Sequence, residues 1–150
     1  MTIRSHSLVL LVLVLLFPAV PISAADPVLG WLGGTADSFE GYTLVAPGTS
    51  TTTYLIDNAG RVVHSWQSNY RPGLSVYLLE DGKLLRSGKV PVTPADMNSG
   101  GWGGLFQLLD WDSNVLWQFQ YSDDQVQQHH DVEMLPSGNV LVLAWEMKSA

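Results

Sequence analysis

Apolar and polar positions alternate in short runs through most of the chain, and each run is broken by turn residues. Thr53-Tyr54-Leu55-Ile56 leads into Asp57-Asn58-Ala59-Gly60, after which Arg61-Val62-Val63-His64-Ser65-Trp66 alternates again. A second hairpin follows, with Val76-Tyr77-Leu78-Leu79, the turn Glu80-Asp81-Gly82, and Lys83-Leu84-Leu85-Arg86. A period of two places one side of a segment in a core and the other in solvent, and the Asp, Asn and Gly clusters supply the turns. Beyond residue 25 no window carries a 3.6-residue apolar period, so the pattern predicts an all-β fold.

The two-hairpin pattern recurs. Placing Asp57 on Asp110, a shift of 53, brings Leu55-Ile56 onto Leu108-Leu109, Val62-Val63 onto Val115-Leu116 and Trp66 onto Phe119. Placing Gly82 on Gly138, a shift of 56, aligns the second hairpins. Four strands per unit of roughly fifty residues is the spacing of a long β-propeller blade. The reading predicts four-stranded antiparallel sheets at 53–88 and 105–145, stacked face to face, with Ser75 superposed on Asp131. A β-sandwich of meandering hairpins is the alternative, but it gives no reason for two similar units in succession. A ring usually needs about four to eight blades, so residues 26–150 read as the N-terminal part of a propeller, about two blades long, or as one of several copies. Uncovered strand surface at Val140, Leu141 and Val142 makes self-association an expectation.

The N-terminus changes the picture of where such a fold works. Arg4, an apolar run over 8–17, Pro18 and Pro21, and the small residues Ser23-Ala24-Ala25 follow the order of a secretory signal peptide, 1–25. The run is about half the ~20 residues a membrane span needs, so cleavage and release to the periplasm or medium, without stable membrane insertion, is expected. There is no cysteine, and an exported chain without disulfides depends on core packing. Loss of the leader leaves six basic against fourteen acidic side chains, a net charge of −8. That field repels phosphate backbones and excludes nucleic acid as a natural partner.

Candidate chemistry concentrates at His129, His130 and Asp131. They superpose on Gly73-Leu74-Ser75, so the scaffold itself does not require them, and the difference between the two shifts places an insertion of three residues in the same connection, between Phe119 and Val132. Insertions that gather on one loop of a repeat often mark its binding face. Neighbours on a regular strand point to opposite faces, so one of the two histidines faces a site and the other does not. Asp131 can orient an imidazole. The competing reading is a hydrogen-bonded turn at the entry of a blade. Three consecutive residues rarely ligate one ion, and no cofactor or metal is expected. His64, mid-strand, reads as structural, and Trp66, Trp117 and Phe119 as packing between sheets. Trp102, between glycines in a long connection over 91–104, reads first as part of a flexible link between blades, with a place at a pocket mouth as the alternative.

Three stretches together resemble the N-terminal part of the bacterial arylsulfotransferases: residues 55–66; Gly101-Trp102-Gly103-Gly104 leading into Leu109-Asp110-Trp111-Asp112 and Val115-Leu116-Trp117; and the run from Gln128 through His129-His130-Asp131 to Leu135-Pro136-Ser137-Gly138-Asn139. The resemblance covers the chain from about residue 41 onward. It implies a six-bladed propeller that moves a sulfuryl group from an aryl sulfate ester to a phenol through a sulfated histidine, without a nucleotide donor. It further implies that the nucleophilic histidine lies on a later blade, downstream of this chain, so that this chain alone is not a competent transferase. A non-catalytic propeller module that binds a ligand or a protein is the other functional class open to such a sequence.

Overall fold

In the computed structural model, described over residues 32–90 and 100–148, nine strands follow one another without a helix among the described residues. They are β1 (Tyr42–Val45), β2 (Thr52–Asp57), β3 (Val62–Gln67), β4 (Pro72–Leu78), β5 (Leu84–Lys89), β6 (Gly104–Leu109), β7 (Val115–Gln120), β8 (Val126–Met134) and β9 (Val140–Glu146). All pairings are antiparallel, in three sheets ordered β1-β2-β3, β4-β5-β6-β7 and β8-β9. The leader at 1–25 lies outside the described residues.

The all-β expectation holds, and its hairpins are in place, but the sheets are cut elsewhere than predicted. Among the described residues a single four-stranded sheet spans β4 to β7, whereas the prediction had joined β2-β3 to β4-β5 over 53–88 and β6-β7 to β8-β9 over 105–145. Alternation identifies a hairpin but is silent on which neighbour it pairs with. What separates β3 from β4 is a four-residue crossing, residues 68–71, fastened by a side chain from the next sheet. Arg86 on β5 donates from Nη1 to Ser68 Oγ at 2.6 Å and from Nη2 to the Tyr70 carbonyl at 2.9 Å.

The repeat itself is reproduced in the pairing registers. Under a shift of 53, Thr52↔Gln67, Leu55↔His64 and Ile56↔Val62 become Leu105↔Gln120, Leu108↔Trp117 and Leu109↔Val115, with a bulge at the same step in both hairpins. Under a shift of 56, Pro72↔Gly88, Val76↔Arg86 and Leu78↔Leu84 become Gln128↔Ala144, Val132↔Val142 and Met134↔Val140. Ser75 thus falls on Asp131 as expected. The turns repeat as well: Asp57 Oδ1 accepts the Arg61 amide, Asp110 Oδ1 accepts the Asn114 amide, and the left-handed turn position is Gly60 in one and Ser113 in the other.

The two central strands of the middle sheet, β5 and β6, are buried on both faces, because successive residues of a strand point in opposite directions and each side meets a neighbouring sheet. Leu84 and Leu109 meet Leu55 and Trp66 of the first sheet, with Leu44 and Val76 at the margin. Leu85 and Phe106 meet Val132 of the third, joined by Met134, Val140 and Val142. Each such apolar side chain contributes roughly 1.5–3 kcal/mol on burial, which is how this cysteine-free chain holds its layers. The first interface also buries Arg86, whose Nη1 reaches Gln107 Oε1 at 2.8 Å. Burial pushes its guanidinium down to about 10.

Trp66 packs between sheets as predicted, but Trp117 and Phe119 do not. They are 38% and 50% exposed on the face of β7, which the two-stranded third sheet is too narrow to cover.

Candidate functional site

The site begins with a backbone irregularity. Between the pairs Gln128↔Ala144 and Val132↔Val142, His129, His130 and Asp131 stand opposite Leu143 alone. The same irregularity occurs in β4, where Gly73, Leu74 and Ser75 stand opposite Ser87. Surplus residues of this kind kink a strand and re-aim its side chains. His130 takes φ +49° and its counterpart Leu74 takes φ +84°, left-handed values that side-chain-bearing residues rarely adopt. The regular alternation on which the sequence reading of His129 and His130 rested does not hold at this bulge. Their rings meet, with centroids 4.1 Å apart and planes nearly perpendicular.

A glycine-rich segment holds the bulge from the side. The His130 amide donates to the Gly101 carbonyl at 2.7 Å, the Gly103 amide donates to the Gln128 carbonyl at 3.2 Å, and Trp102 bridges to His129 between them. Gly101 sits at φ +90°, and a methyl group there would overlap the His130 ring, as one on Gly103 would overlap Gln128 Oε1. The glycines around Trp102 are needed because β8 passes so close. Trp102 itself lies under the Lys89 ammonium, 5.1 Å from its ring centroid, a cation–π arrangement. Residues 91–99 of its connection lie outside the described residues.

The two imidazoles have different surroundings. His129 is half-buried, its ring 4.0 Å from that of Trp145 and its Nε2 3.3 Å from the Gly100 carbonyl. His130 is exposed, with Nδ1 2.9 Å from His129 Nε2. The same nitrogen is 3.1 Å from His129 Nδ1, so it faces both nitrogens of that ring. Asp131 does not orient an imidazole: its Oδ1 accepts from Tyr77 Oη at 2.7 Å and from the Val132 amide at 2.8 Å. The carboxylate acts first through that hydrogen bond, with burial second and the Asp131 and Glu133 charges after it, to raise the Tyr77 phenol above its ordinary 10.

His130 and Asp131, but not His129, line an open cleft of about 370 Å³ between β4 and β8, with Leu74, Ser75, Val76 and Tyr77. Sequence reasoning singled out His130 and Asp131. It missed Tyr77 as a site residue, although Tyr77 stands two residues beyond Ser75, the superposition partner of Asp131. Among the described residues no group of three His, Cys, Asp or Glu side chains converges in a metal-binding arrangement. A larger recess of about 620 Å³ at Tyr42, Asp57 and Arg61 has its cation already paired, Arg61 to Asp57 at 2.7 Å.

Chemically, the cleft offers an imidazole that donates or accepts, a phenol held by a carboxylate, and an aliphatic wall at Leu74 and Val76. That set suits a small aromatic or phenolic ligand hydrogen-bonded at its oxygen. Compared with known proteins, the chain matches no family model, no curated protein and no solved structure.

Proposed function

We propose that this chain is part of an exported sulfuryl-transfer propeller of the arylsulfotransferase kind, in which His129 and His130 help to bind an aryl sulfate or its phenol product. The paired imidazoles at the β8 bulge carry the reading, since they occupy positions that the repeat fills with Gly73 and Leu74 and are held there by a strained backbone. Strain of about 1–3 kcal/mol at a non-glycine residue is more often kept where a site uses it. In the reaction, an imidazole N–H would donate to a sulfuryl oxygen or to the phenolic oxygen as the ester bond breaks. The nucleophile that takes up the sulfuryl group belongs, by the resemblance, to a later blade.

A second reading, a non-catalytic binding module for a neutral phenolic ligand, is favoured by one observation. The Asp131 carboxylate lines the same cleft and opposes a sulfate monoanion.

Titration of the chain with phenyl sulfate and, separately, with phenol, followed by the imidazole resonances of His129 and His130, tests both. Shifts with both ligands, lost in His130→Ala, support the transferase reading; shifts with phenol alone support the binding module. Silence of both histidines at millimolar ligand removes the site. Sulfuryl transfer catalysed by the purified 150-residue chain itself would show that the nucleophile has been sought in the wrong place.

A further inference from the structure

The hydrogen bonds on the polar wall of the cleft between β4 and β8 run in one direction. Tyr77 has a single hydroxyl hydrogen, and it goes to Asp131 Oδ1 at 2.7 Å, because an ionised carboxylate can only accept. The phenolic oxygen therefore turns lone pairs alone to anything else in the cleft. Ser75, on the same wall, directs both its amide and its hydroxyl hydrogen at Ser87 Oγ, at 3.1 and 2.9 Å. Asp131 receives the Tyr77 hydroxyl and the Val132 amide on the same oxygen, Oδ1, which leaves Oδ2 to a further donor. Since both oxygens belong to one carboxylate, Oδ2 lies close enough to Tyr77 Oη for one atom to reach the two of them.

The cleft thus gathers oxygens whose own hydrogens are already committed, with a negative charge among them. The repeat places them alike: under the shift of 56, Ser75 corresponds to Asp131 and Tyr77 to Glu133, so the same two positions supply oxygens on both strands. A ligand that carries only acceptors finds no partner on this wall, and a neutral hydroxyl brings one hydrogen. A primary ammonium brings three hydrogens and the compensating charge, and hydrogen bonds between ionised groups are roughly twice as strong as neutral ones. Six basic against fourteen acidic side chains beyond the leader raise the concentration of cations near the surface further. The remaining lining suits an apolar body. Leu74 and Val76 form an aliphatic wall, and the Tyr77 ring is exposed, where its face attracts a cation.

The geometry points to a binding site for a small primary ammonium ion with an apolar body, its nitrogen held by Asp131 Oδ2 and Tyr77 Oη and its body lying against Leu74 and Val76. A volume of about 370 Å³ accommodates one ring and a short tail. The nitrogen is held without either imidazole, so the site stands apart from the sulfuryl-transfer reading.

Three probes alike in body and different in charge test it: 2-phenylethylammonium, 2-phenylethanol and 3-phenylpropionate, each titrated into the chain by calorimetry at physiological salt. The ammonium should bind about tenfold more tightly than the alcohol, and the carboxylate should not bind. Asp131→Asn keeps an acceptor for Tyr77 and Val132 but replaces Oδ2 with a donor; it should weaken the ammonium about tenfold and the alcohol less than about twofold. Tyr77→Phe removes the second acceptor and should weaken the ammonium about threefold. Glu133→Gln removes a charge farther along β8, outside the cleft lining, and should cost less than about twofold. Amide resonances of residues 74–77 and 130–132 locate the ligand and report folding in each variant. An ammonium bound no more tightly than the alcohol, equal losses in Asp131→Asn and Glu133→Gln, or resonance shifts that bypass these residues overturns the proposal. The response of the imidazoles to phenol is read separately, so either reading can fail while the other stands.

Discussion

The left-handed backbone at Leu74 and His130 should make glycine better than alanine at both positions, the reverse of its usual rank in a strand. At φ +84° and +49° a Cβ crowds the following carbonyl, which costs roughly 1–2 kcal/mol. Glycine is free of that cost but loses more freedom on folding, worth about 0.4–1 kcal/mol. The difference leaves about 0.5–1 kcal/mol in favour of glycine. Comparing glycine with alanine, rather than with the native residue, cancels the lost side chain: Leu74 is 55% exposed, and the His130 ring is absent from both variants. Leu143, exposed on β9 with ordinary φ, serves as the control, where glycine should be worse by about 0.5–1 kcal/mol. Urea unfolding followed by tryptophan fluorescence, with the buried Trp66 as reporter, resolves such differences. With a denaturant slope of ~1–3 kcal/mol per molar, the midpoints should separate by about 0.4 M. Glycine below alanine at both 74 and 130 would refute the claim that the bulges are strained, and with it the argument that strain marks the site.

Two other outcomes follow from the packing and the hydrogen bonds. Phe106→Ala removes a fully buried ring between the second and third sheets and should cost about 3–5 kcal/mol, whereas Trp117→Ala on the exposed face should cost far less in the dilute single chain, both read by thermal melting. Tyr77 should titrate above 10 by tyrosinate absorbance, and Asp131→Asn should bring it back down. Because the folded value is raised, its contribution to stability is complete below the unfolded value of about 10 and is lost as pH rises through the folded one; a Tyr77 value that ignores Asp131→Asn would contradict the 2.7 Å hydrogen bond.

Much of the architecture was legible in the chain because it depends on neighbours. Alternation at residues 53–56 and 61–66, closed by Asp57-Asn58-Ala59-Gly60, determines a hairpin on its own, and the two shifts of the repeat carried over pair by pair into the sheet registers. The choice of His129, His130 and Asp131 needed only the observation that the repeat does without them. Contacts distant in sequence decided the rest. Which hairpins share a sheet turns on the crossing at 68–71 and the Arg86 side chain that holds it. That both imidazoles meet turns on a left-handed residue that no alternation pattern can signal. That Asp131 serves Tyr77 turns on two strands, β4 and β8, fifty-four residues apart at that contact. A period of two tells each residue which side it faces, but only the stacking of the sheets decides whether anything lies there, as Trp66 and Phe119, alike in sequence position and opposite in burial, make plain.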